Sequence, residues 1–240
     1  MIAKIIKQIQ AFNASRELRT YVKKINASIQ TSSVKEVLSV IFDEPFKRFF
    51  WIKQVREEFT QLCHVVHDHK PATVLEIGTA NGGSLFAFAK LSSPEASIFS
   101  IDLPGGEFGG GYPAYRAAFY KNFRQPGQQI ELMRCDSHHS DTLNTLKEML
   151  GGRSLDFLFI DGDHTYEGVK TDFQLYAPLV RKGGLIAFHD IAKHPEAWNV
   201  HVDRLWNEVK EKFDSVEFIH DKNQGWAGIG LIRNFDPDKL

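Results

Sequence analysis

From Ala72 onward the chain alternates short apolar runs with stretches of helical spacing. The runs are TVLEIG (73–78), ASIFSID (96–102), QIELMRC (129–135), LDFLFID (155–161) and GLIAFHD (184–190), all rich in Val, Ile, Leu and Phe. The segments between them are long enough for the crossover that a parallel strand pair requires. Strands alternating with helices predict an α/β fold: a Rossmann-like, doubly wound, mostly parallel sheet covered on both faces. After 190 the rhythm changes to a helix over 198–213, then SVEFIH (215–220), a turn DKNQG (221–225) and WAGIGLIR (226–233). Two strands joined by a short turn predict a C-terminal antiparallel hairpin and bring the sheet to seven strands.

Residues 1–70 show no strand-like alternation, and their polar breaks fall at NAS (13–15) and QTSS (30–33). They predict an N-terminal helical extension preceding a sheet domain over 71–240. Within the extension, Ile2, Ile5, Ile6, Ile9 and Phe12 fall on one helical face with Lys4 and Lys7 between them. This amphipathic helix is expected to pack on the body or on a second copy of the chain, making a homo-oligomer. The chain has 240 residues, 42% of them hydrophobic and 19 of them Phe, enough for one large core and too few for a second complete domain.

Lys and Arg number 29 against 30 Asp and Glu, so no overall field draws the chain to nucleic acid or to an anionic membrane. No run is long and apolar enough to span a bilayer. Cys63 and Cys135 stand far apart without a CxxC, which fits two ordinary thiols in a reducing, cytoplasmic setting. The sequons at Asn13 and Asn26 would matter only after secretion.

The first strand runs into LEIGTANGGS. Glycines 78, 82 and 83 allow a sharp turn and a close approach to a ligand, and the amides opening the following helix can meet an anionic group. Thr79, Ala80 and Asn81 separate Gly78 from Gly82, so the dinucleotide fingerprint GxGxxG is broken. Asp102, ending the second strand, is the type of carboxylate that accepts hydrogen bonds from ribose hydroxyls in such sheets.

This acid-led loop (Glu76, Gly78, Gly82, Ser84), Asp102, the CDS at 135–137 and the closing hairpin resemble the class I S-adenosylmethionine-dependent methyltransferases. Within that class the chain is similar to the metal-dependent catechol type and, more closely, to the bacterial sugar and natural-product O-methyltransferases of the macrocin and cephalosporin-biosynthesis groups. The resemblance covers about residues 72–233. It implies that the loop from Gly78 through Thr79, Asn81 and Gly82 to Ser84 holds the methionine part of the cofactor, with Ser84 near its carboxylate. It also implies Asp102 on the ribose, Asp136 and Ser137 near the adenine, and Glu76 as a support of the loop.

At the carboxyl ends of the fourth and fifth strands stand FIDGDH and AFHDI. An open parallel sheet binds ligands there, so Asp161, His189 and Asp190 are expected side by side. Carboxylates suit Mg²⁺, and an imidazole among them admits Mn²⁺. The resemblance makes these three positions metal ligands, with His189 a departure from the acid found there in catechol-type members. It also places the general base at His164, three residues past Asp161. A histidine can take a hydroxyl proton at neutral pH, and a metal would lower that hydroxyl's pKa while orienting it.

Asp163 reads as a supporting acid, HVVHDH (64–69) as a polar helix end, and His138 and His139 as a helix start. The leading expectation is O-methylation of a small hydroxylated acceptor, with the glycine-rich loop of 103–113 and the helical extension around it and Phe and Tyr of 108–120 as its walls. The alternatives are a glycosyltransferase using the DxD at 161–163, a metal oxygenase, a dehydrogenase weakened by the broken fingerprint, and a non-catalytic cofactor-binding module.

Overall fold

The computed structural model describes residues 33–43, 51–105 and 111–240, together with Thr20. The expected helix at 1–12, both sequons and positions 106–110 of the glycine-rich loop lie outside them.

The described extension holds helix α1 (Val34–Phe42) and helix α2 (Arg56–His69). Ser33 caps α1 by accepting from the Glu36 amide at 3.3 Å. The stretch 51–55 is not helical, a difference from the sequence expectation; Gln54 in it bonds across the molecule to Asp161 at 3.0 Å, which commits the backbone to another path. The sheet domain runs β1 (Thr73–Ile77), α3 (Gly83–Leu91), β2 (Ser97–Ile101), α4 (Ala114–Tyr120), β3 (Gln129–Met133), α5 (Ser140–Leu150), β4 (Leu155–Ile160), α6 (Tyr166–Tyr176), β5 (Val180–His189), α7 (Val202–Val209), β6 (Asp214–Phe218) and β7 (Ile229–Phe235).

The seven strands lie in the order β3-β2-β1-β4-β5-β7-β6. The first five pair in parallel, and β7 runs antiparallel to both β5 and β6. β5 begins at Val180, ahead of the expected Gly184, through a register irregularity opposite Leu155 and Phe157. β7 begins only at Ile229, because Ala227 and Gly228 take left-handed conformations at φ 57° and 86°.

The two-residue period of the strands sends alternate side chains to opposite faces. Val74, Ile98, Phe157 and Phe159 join the core shared with α1, α2 and α3. Leu75, Phe99, Leu158 and Ile160 join the core beneath α5, α6 and α7. The described helices of the extension therefore share the sheet's core. α3 is buried at all nine residues, which explains its apolar sequence all round. No helix among the described residues is long and apolar enough to cross a membrane.

Candidate active site

The chain reverses its winding between β1 and β4, and the crevice outside the carboxyl ends of the strands opens there. It holds a cavity of about 660 Å³ lined by the loops after β1 to β5, by 51–53 of the extension, and by Trp198 and Trp226.

The loop after β1 forms its floor. Gly78 has φ +92°, and a Cβ there would stand 1.9 Å from the Asp161 carbonyl oxygen, so only glycine lets the ends of β1 and β4 come this close. Asp102 Oδ2 accepts from the Thr79 amide at 3.0 Å and from the Ala80 amide at 2.6 Å. Burial raises its pKa against these bonds. Arg116 donates to Asn81 Oδ1 at 3.0 Å, and the Tyr120 hydroxyl donates to the Ala80 carbonyl at 3.1 Å, so α4 braces the loop from outside. Below it Glu76 is fully buried, and neither carboxyl oxygen has a partner of hydrogen-bonding geometry. Burial pushes its pKa up to about 8, opposed by the Ser84 hydroxyl and assisted by the charges of Asp102 and Asp161. A buried carboxyl without partners is costly unless something meets it.

The loop after β3 brings Cys135, Asp136, Ser137 and His138 to the cavity wall. Asp136 Oδ1 accepts from the His138 amide at 2.9 Å.

At the other end stand Asp161, Asp163, His164, His189, Asp190 and His194. His164 Nδ1 lies 2.8 Å from Asp190 Oδ2, and its Nε2 lies 3.6 Å from Asp161 Oδ1. His189 Nδ1 lies 3.0 Å from Asp161 Oδ1 and 3.4 Å from Asp190 Oδ1, and its Nε2 is buried without a partner. Burial pulls the His189 pKa down, but Asp190 and Asp161 outweigh it and hold it well above the usual histidine value. For Asp190, burial is outweighed by the His189 charge and by bonds to His164, His189 and His194, and its pKa falls well below the carboxylate range. His164 follows the same logic: burial lowers it, the bond to Asp190 and the charge of Asp161 raise it more. The backbone is set accordingly, with Asp190 at φ 62° and the His164 carbonyl accepting from the His201 amide at 2.8 Å.

Asp161, His189 and Asp190 thus meet as the sequence suggests. Among the described residues, the triplet whose ligand atoms converge within 4.8 Å of one another is Asp161, His164 and Asp190. Asp163 accepts from the Thr165 amide at 2.9 Å, and Thr165 caps α6 by accepting from the Gly168 amide at 3.0 Å. His64, His67 and His69 end α2 away from the cavity. Two partners escaped the sequence reading. Gln54 donates to Asp161 Oδ2 at 3.0 Å, and no local pattern announces it. His194 Nε2 lies 3.1 Å from Asp190 Oδ1, and its spacing in HDIAKH could have revealed it. The aromatic wall also differs. Among the described residues Trp51, Trp198 and Trp226 line the cavity, whereas Tyr112, Phe119 and Tyr120 are buried in the core beneath the loop.

Residues 75–191 match the family model described as a methyltransferase domain. An uncharacterized protein of Acanthamoeba polyphaga mimivirus is 31% identical over 143 residues, covering 57% of this chain and 58% of that protein. A probable caffeoyl-CoA O-methyltransferase 2 of Dictyostelium discoideum is 25% identical over 172 residues, covering 71% and 69%. The chain spans 58% of the length of the mimivirus relative and 18% of that of a Sinorhizobium fredii relative. In fold it is similar to the O-methyltransferase TomG of Streptomyces achromogenes, solved with S-adenosylmethionine, at a TM-score of 0.56 and 16% identity over 85% of this chain and 89% of that one. The chain shares its fold with this O-methyltransferase, and residues 75–191 are similar to the methyltransferase domain.

Proposed function

We propose that this chain is a class I methyltransferase that transfers the methyl group of S-adenosylmethionine to an oxygen of a small hydroxylated acceptor, of the sugar or natural-product type, with His164 as general base. The observation that carries the reading is the His164–Asp190 pair, 2.8 Å apart inside the cavity. A carboxylate that holds Nδ1–H leaves Nε2 as the proton acceptor and stabilises the imidazolium that forms. Asp161 faces the ring's Nε2 at 3.6 Å, and His189 pairs with the same Asp161 oxygen.

The residues present fit the cofactor. The loop Thr79 to Ser84, Asp102, and Asp136 with Ser137 line one cavity, with the buried Glu76 carboxyl beneath the glycine turn, a succession that suits the cofactor's amino-acid, ribose and base parts. When bound, S-adenosylmethionine supplies a sulfonium methyl that an acceptor oxygen can displace. His164 takes the hydroxyl proton as the oxygen becomes a nucleophile, and Trp51, Ile52 and Trp226 exclude water from the acceptor side.

One observation favours a second reading of the same residues. Two carboxylates and an imidazole converge at Asp161, His164 and Asp190, a donor set suited to Mn²⁺ or Mg²⁺. A divalent ion there would lower the acceptor's pKa, with His164 as ligand in place of base and His189 orienting Asp161. His164→Ala tests the base role: turnover against a panel of pyranosides and catechols should fall by roughly 10² to 10⁴ while affinity for S-adenosylhomocysteine stays within about twofold. Unchanged turnover removes His164 from the chemistry.

A further inference from the structure

We propose that His138 is a positioning residue for the cofactor, and that its pairing with Asp172 beneath the cavity holds the loop 135–138 in its binding shape. The proposal rests on the S-adenosylmethionine reading above. Asp172 stands on α6 with no exposed surface, and neither of its oxygens has a partner of hydrogen-bonding geometry. Burial raises its pKa, opposed by the His138 and Ser137 side chains, and the carboxylate form persists when a cation faces it. The group facing it is His138, whose Nε2 lies 3.4 Å from Asp172 Oδ1 and is itself buried without a hydrogen-bond partner, while the ring lines the cavity.

The surroundings make this pair the centre of a clamp. Tyr176, one turn further along α6, donates its hydroxyl to the Ser137 carbonyl at 2.6 Å. From α5, Thr142 donates to the Asp136 carbonyl at 2.6 Å. On its other side Asp172 abuts the end of β4, where a Cβ added to Gly162 would stand 3.4 Å from Oδ2. One carboxylate therefore lies between the loop at the base end of the cavity and the loop that carries Asp161 and His164. A displacement of His138 reaches the cofactor's base site directly and the chemical end through α6.

The groups facing the His138 ring are Asp172 from α6, Asp136 from its own loop with Oδ1 4.0 Å from Nδ1, and Asp163 from the loop after β4. All three are acids, and they hold its pKa above the ordinary histidine value, the close pairing with Asp172 first. A raised histidine contributes fully below about pH 6.5 and loses its contribution as pH climbs through the raised value. Once neutral, the ring no longer balances Asp172, and the loop loosens.

The test is calorimetric affinity for S-adenosylhomocysteine between about pH 6 and 8.5 in the wild type, His138→Gln and Asp172→Asn. The wild type should bind roughly tenfold more tightly than His138→Gln at the acid end and approach it at the alkaline end. Asp172→Asn should move that loss to lower pH. Glu76 titrates in the same span but is common to the proteins compared, so it cancels in the ratio. A wild-type to His138→Gln ratio that stays flat with pH overturns the proposal, even if melting temperatures differ, since a merely structural pair would move stability alone. Should Asp172→Asn fail to fold, the His138→Gln comparison decides by itself. A wild type that binds no S-adenosylhomocysteine at any pH overturns the cofactor reading and this proposal with it.

Discussion

Glu76→Gln in the ligand-free protein should change how stability depends on pH, chiefly through the burial of the Glu76 carboxyl. The Glu76 carboxyl is fully buried, and its pKa rises from 4.5 to about 8. The folded chain therefore keeps a proton that the unfolded chain releases, so wild-type stability declines as pH rises from about 4.5 and levels off above about 8. Each unit of that window corresponds to about 1.4 kcal/mol, so between pH 5.5 and 7.5 the wild type should lose about 3 kcal/mol relative to Glu76→Gln. The absolute offset between the two proteins also contains the fit of the amide beside Ser84 and Thr79, but that offset does not vary with pH. Urea denaturation at half-unit pH steps, read as the difference between the two proteins, measures the slope directly. Parallel curves across the window would show that Glu76 ionises normally and that its burial carries no electrostatic cost.

The remaining expectations concern the metal and the glycine turn. If the divalent-ion reading holds, EDTA should abolish turnover of the unmodified protein and Mn²⁺ or Mg²⁺ should restore it, while Asp161→Asn and Asp190→Asn should remove the response to added metal; activity that survives EDTA leaves His164 as the base. Gly78→Ala should destabilise the fold by roughly 3 kcal/mol or more, since it combines a strained φ of +92° with a backbone collision against Asp161, and a thermal melt unchanged from wild type would refute the close approach of β1 and β4.

The central parallel strands were legible because both of their faces are buried, which leaves apolar runs such as LDFLFI with no competing pattern. The edges of elements were not: the fifth apolar run starts at Gly184, yet β5 runs from Val180, and WAG reads as strand, yet Ala227 and Gly228 turn away from it. At the site, Asp161, His164, His189 and Asp190 follow from strand ends that the topology must bring together. Which histidine converges with the two acids did not follow, since it depends on the backbone after Asp161 and on the left-handed Asp190. Gln54 and the three tryptophans escaped for a different reason: they come from irregular segments whose path is decided by tertiary contacts and not by periodicity. Asp172 carries no signal in the sequence, since only its burial on α6 sets it under His138.

The central claim is that the cavity at the carboxyl ends of β1 to β5 is a site for S-adenosylmethionine. Calorimetric titration of the wild-type protein with S-adenosylmethionine and, separately, with NAD tests it most directly. The account predicts saturable binding of S-adenosylmethionine at one site per chain, weakened by Gly78→Ala, and none of NAD. Binding of NAD without binding of the methyl donor would contradict it.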